Sequence, residues 1–246
     1  MIAPVEVQYK ANPQSNASIR ASMKVSKNVY TIKVFLDRGG ASCTIGSISI
    51  KPGVSLDKQG EKDKSGDAGL RKIVLCIAVS LDGFIADKDG GVDFVFERPT
   101  SEPDLLYRQF YDSIDLILYG SATYRQMKFD MGFERWPYPD KMNVVFSSRL
   151  SLDEDYLTST ALTPLEFIQK EKTKEGGDIW LFGGRRLIRS FMADNLIDRF
   201  FIYICPTILG AGVPLFDGGF PKTDLRLVAI DKTADRAKII YDRIVG

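Results

Sequence analysis

Gly177-Asp178-Ile179-Trp180-Leu181-Phe182-Gly183-Gly184-Arg185-Arg186-Leu187-Ile188 is the stretch from which the rest of the chain can be read. Apolar residues run unbroken from Ile179 to Phe182 and stop at a glycine pair. Beyond the pair the period changes, because Leu187, Ile188, Phe191 and Met192 share one face of a helix. The pattern predicts a buried strand, a Gly-Gly turn and an amphipathic helix. Neither glycine carries a Cβ, so backbone or ligand can come close. The free N–H groups at the start of the helix suit an anion, above all a phosphate. Arg185 and Arg186 fall in the first helical turn, where a cation is disfavoured by roughly 0.3–1 kcal/mol. A bound polyanion would turn that cost into attraction. A plain tight turn with solvated arginines accounts for the same residues, and this stretch alone leaves both readings open.

The same grammar recurs on either side. Ile73-Val74-Leu75-Cys76-Ile77-Ala78-Val79 is a continuous apolar run, as expected of a central strand covered on both faces. Ile114–Tyr119 is a second strand and leads into Gly120-Ser121-Ala122-Thr123, a further strand-to-helix junction. Between these strands, Leu105, Leu106, Phe110 and Tyr107 supply the stripe of a helix that Pro103 can open. Met142–Phe146 is a third strand, closed by Ser147-Ser148-Arg149. Thr163 caps a helix with Pro164 at its first position. Ile197–Ile204 is another strand, followed by a glycine loop at 209–214, and Leu225–Ile230 with Ala237–Val245 form an antiparallel pair. Strands alternating with helices, then strands alone, predict an α/β domain with a mixed, mainly parallel sheet flanked by helices. Ligands of such sheets bind beyond the carboxyl ends of the strands. The turns at 120–123, 147–149 and 183–186 all follow strands and therefore share that edge.

Ahead of this domain the chain reads differently. Residues 1–50 alternate modestly, at 29–36 above all, and are expected to form a β-rich or disordered appendage. Residues 51–69 hold only Val54, Leu56 and Ala68 as apolar side chains and read as a linker. The domains expected are therefore 1–50, a linker at 51–69, and 71–246. Residues 1–69 are further expected to be dispensable, and Leu70-Arg71-Lys72 is where a shorter natural chain would begin.

Composition removes several chemistries. The chain has no histidine, which excludes Ser-His and Cys-His nucleophiles, imidazole bases and every His-containing metal site. Cys43, Cys76 and Cys205 are isolated, the apolar neighbours of Cys76 and Cys205 suit core packing, and a reducing compartment fits. A net charge of +1 gives no sign of nucleic-acid or membrane-surface binding. There is no run of 18 apolar residues and no signal-peptide core near the start, so a cytoplasmic protein without a metal is expected.

Five motifs in order carry a family resemblance. They are Ala78-Val79-Ser80-Leu81-Asp82-Gly83-Phe84-Ile85-Ala86, Gly120-Ser121-Ala122-Thr123, Val145-Phe146-Ser147-Ser148-Arg149, Leu181-Phe182-Gly183-Gly184, and Pro206 to Phe216. Residues 71–246 resemble the dihydrofolate-reductase-like superfamily. Within it they are most similar to the C-terminal reductase domain of bacterial bifunctional riboflavin-biosynthesis deaminase–reductases. The resemblance implies NADPH as cofactor. Gly183 and Gly184 would cradle the pyrophosphate and Thr123 would contact phosphate. Ser147, Ser148 and Arg149 would lie near the adenosine phosphate, and Val79, Gly120 and Arg185 complete the implied cofactor contacts. Phosphate chemistry agrees, since it needs N–H donors, hydroxyls and a bidentate arginine.

The implied activity is hydride transfer to a pteridine- or pyrimidine-like small molecule, as in 5-amino-6-(5-phosphoribosylamino)uracil reductase. Dihydrofolate reduction and a nucleotide-binding module without turnover are the alternatives. Pyrimidine reductases of the family often carry an acidic residue two places before the glycine pair, where this chain has Leu181. Dihydrofolate reductases need a buried carboxylate on the first helix, for which Glu102 and Asp104 are the candidates. Either of these also simply favours a helix N-terminus. Asp82, after an apolar strand and before Gly83, is the candidate catalytic carboxylate, and an Asx-type turn accounts for the same residue. A homodimer through the sheet edge is expected from related reductases and from the apolar residues around Ile239-Ile240-Tyr241.

Overall fold

The computed structural model describes residues 71–97, 104–131, 133 and 136–245, together with 6–10, 17–26, 29–38 and 41–50. The chain divides into two compact units, Met1–Lys64 and Ser65–Gly246. In the first, β1 (Glu6–Lys10), β2 (Ala17–Ser26), β3 (Val29–Arg38) and β4 (Ala41–Ile50) pair antiparallel in sequence order. The alternation read at 29–36 falls within β3, and the expected linker lies outside the described residues.

The second unit opens with β5 (Ile73–Ser80) and β6 (Phe84–Asp87), then α1 (Leu105–Ser113), β7 (Ile114–Gly120) and α2 (Ser121–Arg125). Helix α2 runs on into one π-helical turn at Gln126–Asp130. There follow β8 (Met142–Phe146), β9 (Asp153–Glu154), β10 (Leu157–Thr160), α3 (Pro164–Glu171), β11 (Asp178–Gly183) and α4 (Arg185–Ala193). The unit closes with β12 (Arg199–Cys205), β13 (Gly212–Pro214), β14 (Leu225–Thr233) and β15 (Arg236–Arg243).

One sheet takes nine of these strands in the order β14-β15-β12-β5-β11-β7-β8-β10-β9. Strands β12, β5, β11, β7, β8 and β10 are mutually parallel. Strands β14 and β15 are antiparallel at one edge and β9 at the other. This is the mixed, mainly parallel sheet flanked by helices that the alternating pattern predicts.

The apolar runs are continuous because both faces are covered. Ile73 and Leu75 of β5 pack with Ile188, Phe191 and Phe167 of α4 and α3, while Val74 and Cys76 pack with Phe110 of α1 and Tyr124 of α2. At roughly 1.5–3 kcal/mol for each fully buried large apolar side chain, the two cores supply most of the driving force for the domain. Capping agrees with the sequence for α3. Thr163 Oγ1 accepts from Glu166 N at 3.3 Å and Glu166 Oε2 accepts from Thr163 N at 2.9 Å, with Pro164 at the first helical position.

Three details depart from the pattern. Leu105 is exposed, so the buried stripe of α1 is Phe110 with Leu106 and Tyr107 beside it. Strands β9 and β10 are absent from the sequence reading because Leu157-Thr158-Ser159-Thr160 holds a single large apolar residue. Ile239-Ile240-Tyr241 do not form an edge. They lie on β15 between β12 and β14, and the outer strand is β14, on which Leu225, Leu227, Val228 and Ile230 are exposed.

Candidate active site

Because six strands run parallel, their carboxyl ends open on one edge of the sheet. A cleft of about 1180 Å³ lies there, lined by residues from β5, β7, β8, β10, β11 and β12 and from the loops that follow them. Strand order divides its chemistry. The ends of β11, β7, β8 and β10 contribute glycines, hydroxyls and arginines. The β15–β12–β5 side, with α1, contributes a carboxylate and aromatic rings.

On the first flank, β11 ends at Gly183, whose φ of +117° excludes other residues without strain. The Gly183–Gly184 peptide is cis. Gly184 is the N-cap of α4 and supplies no side chain to the free N–H groups of the first turn. An ideal Cβ on Gly184 would stand 2.9 Å from Thr123 Oγ1, and one on Gly120 would meet Gly183 O at 3.5 Å. Gly120, Gly184 and Thr123 thus line one concavity at the mouth of a helix, while Gly183 is buried behind them and outside the lining. Ser147 and Ser148 line the cleft beside it. Ser147 Oγ accepts from the N–H groups of Arg149 and Leu150, both at 3.1 Å, which leaves its hydroxyl proton free to donate outward.

The arginines divide differently from the sequence reading. Arg185 lines the cleft, but its guanidinium faces Asp217 at 3.3 Å, a carboxylate it shares with Arg189. Arg186 also lines the cleft and makes no ion pair among the described residues. Arg149 is exposed and outside the lining. Val79 turns into the core between β5 and α4, and the neighbouring Ala78 faces the cleft instead.

Asp82 lies outside the cleft lining. Its Oδ1 accepts from Ser80 Oγ at 2.6 Å and Leu209 N at 3.1 Å, and its Oδ2 accepts from Gly210 N at 2.7 Å. The Ser80 hydroxyl, followed by these backbone groups, holds the carboxyl below its usual pKa. The side chain ties the loop after β5 to the loop after β12.

The carboxylate that does line the cleft is Asp104, while Glu102 lies outside the described residues. Asp104 caps α1, its Oδ1 accepting from Tyr107 N at 2.9 Å. The same oxygen accepts from Lys238 Nζ at 2.9 Å, and Oδ2 accepts from the Tyr203 hydroxyl at 3.0 Å. Lys238 is only 1% exposed and donates also to Asp231 Oδ2 at 2.8 Å. Burial alone would lower the ammonium's pKa, but the bonds to Asp104 and Asp231 outweigh it and raise the value. Cross-strand register explains the arrangement: Asp231, Lys238, Tyr203 and Ala78 are successive partners across β14, β15, β12 and β5.

Around Asp104 the walls are aromatic. Trp180 lies 4.9 Å from Phe182 and 5.2 Å from Tyr138 between ring centroids, with Tyr107 edge-on at 6.2 Å. Trp180 Nε1 donates to Cys76 O at 2.9 Å, which fixes the indole. Tyr138 sits on a loop held by Asn143. The Asn143 Oδ1 accepts from Tyr119 and Trp136 at 3.0 and 2.9 Å, and its Nδ2 donates to the carbonyls of Tyr138, Lys141 and Tyr156. Burial pushes the Tyr138 phenol up to about 12 and drives Tyr107 and Tyr203 higher still, so all three stay neutral donors. Burial, then Asp104, raises the Cys76 thiol and makes it a poor nucleophile. Leu181 is fully buried in the opposite core, so the side chain two places before the glycine pair does not reach the cleft.

The sequence pattern puts Arg186 beside Arg185 as a cation for a bound polyanion, but it gives no site role to Lys238, Tyr203, Tyr107 or Tyr138. Arg186 had a signal in the pattern, being one position farther into the helix than Arg185. Lys238 had none, since a lysine in an alternating strand reads as solvated. Among the described residues no group of acidic or cysteine side chains could hold a metal, and no helix is long and apolar enough to cross a membrane.

Known proteins share parts of this sequence and its fold. A protein of Bacillus subtilis (strain 168), the uncharacterised YwjB, is 36% identical over 174 residues, covering 70% of this chain and 98% of its own length. Two solved structures share the fold. One is a candidate riboflavin biosynthesis protein from Shewanella sp. PV-4 (TM-score 0.59, 24% identity, 71% of this chain and 99% of that one). The other is the Thermotoga maritima diaminohydroxyphosphoribosylaminopyrimidine deaminase/5-amino-6-(5-phosphoribosylamino)uracil reductase (TM-score 0.52, 13% identity). The match covers 71% of this chain and 57% of that bifunctional protein, so this chain spans little more than half of its length. The fold is the dihydrofolate-reductase-like one implied by the ordered motifs. Residues 71–239 match the model of the RibD C-terminal domain, and the chain belongs to that family.

Proposed function

We propose that residues 71–246 bind NADPH along the cleft and reduce a planar, pteridine- or pyrimidine-like small molecule. One observation carries the reading. A single cleft joins a glycine-lined helix mouth, with Arg186 beside it, to a carboxylate set among aromatic rings.

The residues fit the cofactor. A pyrophosphate needs backbone N–H groups free of side chains, and Gly184 leaves them open where a Cβ would collide with Thr123. Thr123, Ser147 and Ser148 offer hydroxyls, and Arg186 offers a guanidinium, to phosphate oxygens. When bound, the reduced nicotinamide supplies a hydride equivalent. The protein's own part is placement and exclusion of water. Trp180, Phe182, Tyr107 and Tyr138 hold a flat ring by its faces and edges. Asp104 accepts an N–H of that ring, and its cap to α1 fixes where the bond falls. The neutral phenols of Tyr107 and Tyr138 hydrogen-bond to each other, which leaves one hydroxyl proton of the pair to donate to a ring carbonyl or nitrogen.

Titration with NADPH, followed by nicotinamide fluorescence, tests the cofactor half of this reading. Saturable binding is expected, and its absence would refute it. A panel of pterins, ribosylaminopyrimidines and small carbonyls then tests turnover. Binding without oxidation across that panel would leave a nucleotide-binding module in place of a reductase.

A further inference from the structure

The hydrogen bonds already made by Asp104 restrict what the cleft can recognise. A carboxylate offers about two acceptor sites on each oxygen. Both sites on Oδ1 are taken, by Tyr107 N at 2.9 Å and by Lys238 Nζ at 2.9 Å. Among the described residues Oδ2 accepts only from Tyr203, at 3.0 Å, and keeps one site. Asp104 can therefore take a single further donor. It cannot take the parallel pair of N–H groups that an amidine presents once protonated, because one of the pair would face a filled oxygen, and the bare ring nitrogen of a neutral amidine would face that oxygen lone pair to lone pair. A donor buried without an acceptor is costly.

Charge leads to the same place. Lys238 is sealed from solvent and held as an ammonium between Asp104 and Asp231, while Arg236 lines the same end of the cleft and donates to Val95 O. Asp104 is thus already paired with a cation that solvent does not screen, so a cationic ring gains less there than beside a free carboxylate.

Resting on the reductase reading above, we infer that Lys238 is a specificity-determining residue. By filling Oδ1 of Asp104 it makes the cleft select neutral rings that offer one N–H, cyclic amides or imides, over amidine-bearing rings. Lys238 does this without touching the ligand. It acts from β15 through Asp104, and its place is set by register, opposite Tyr203 on one side and Asp231 on the other.

The test uses the full chain and two rings of one shape, pteridine-2,4-dione and 2,4-diaminopteridine, with calorimetry as readout and an NADPH titration run beside it. The unaltered protein is expected to bind the dione about tenfold more tightly, the effect of one unpaired buried donor. Lys238→Gln, which keeps a hydrogen bond but removes the charge and two donors, should narrow the ratio to about threefold or less. Lys238→Arg should retain the preference. Equal or tighter binding of the diamine by the unaltered protein overturns the inference even if the Gln variant fails to fold. So does binding of neither ring by a protein that NADPH saturates. A failed NADPH titration counts against the reductase reading alone, since ring preference is measured independently of it.

Discussion

Asp82 Oδ2 accepts the backbone N–H of Gly210 at 2.7 Å, closing a loop of 128 residues with one side chain. With Oδ1 bound to Ser80 and Leu209, the carboxylate is a clasp between two loops. Asn at this position would turn an NH₂ group toward a backbone donor. The folded-state pKa is depressed, chiefly by Ser80. The stabilisation is therefore present above the unfolded value of about 3.9 and is lost as pH falls through the lower folded value. Asp82→Asn should lower the melting temperature at neutral pH, and the difference from the unaltered protein should shrink as pH drops from about 5 toward 2. Parallel profiles by circular dichroism would show that the clasp contributes nothing.

Gly184→Val should abolish NADPH binding with little loss of fold. The backbone φ of −82° accepts a side chain, but its Cβ meets Thr123 Oγ1 at 2.9 Å on the cleft side. Nicotinamide fluorescence reads the loss, and an unchanged circular dichroism spectrum shows that the domain survives.

Arg186 and Arg185 are adjacent in sequence and should differ in effect. Arg186→Ala removes a guanidinium without an ion-pair partner among the described residues and should weaken NADPH by about tenfold or more. Arg185→Ala breaks a half-exposed pair with Asp217 and should cost less than about threefold. The reverse order in a titration would reassign the phosphate contact.

The fold was legible because burial on both faces leaves a continuous apolar run, and five such runs followed by polar turns fix a parallel sheet. The glycine pair was legible for a related reason, since the change of period from strand to helix falls on it. The other flank was not. Asp104 reads equally well as a helix cap, which it is, and only Tyr203 and Lys238 show that it is also a half-buried hub. These partners lie 99 and 134 residues away, and pairing register across β12 and β15 brings them together. Asp82 went the opposite way: a carboxylate after a strand has the sequence signature of a site, but backbone donors from the 209–210 turn take up its oxygens.

Strand β14 exposes Leu225, Leu227, Val228 and Ile230 along the outer edge of the sheet. Such an edge calls for cover, and a second copy of the chain is the cover we expect. Light scattering at micromolar concentration should give the mass of a dimer, and Leu227→Lys with Ile230→Lys should return a monomer. A monomeric mass for the unaltered protein would refute the dimer.

A chain beginning at residue 70 should melt at the same temperature and bind NADPH as tightly. Arg71 needs only its own domain: it donates to Gly177 O at 2.7 Å and Glu171 at 3.3 Å, and pairs with Asp115. A melting temperature lower by several degrees would show that the preceding residues are integral.

The Asn143 amide has a further consequence. Its oxygen is filled twice and its two protons are shared among three carbonyls, so the loop bearing Tyr138 is pinned to β8. Swinging that loop outward would break three of these bonds at once, those to Trp136, Tyr138 and Lys141, making the motion a local unfolding event rather than a gate. The aromatic wall is therefore a preformed mould that loses little conformational freedom when a ring enters. Amide hydrogens from 141 to 146 should exchange with deuterium equally slowly with and without ligand, and ring association should follow a single exponential without a slow isomerising phase.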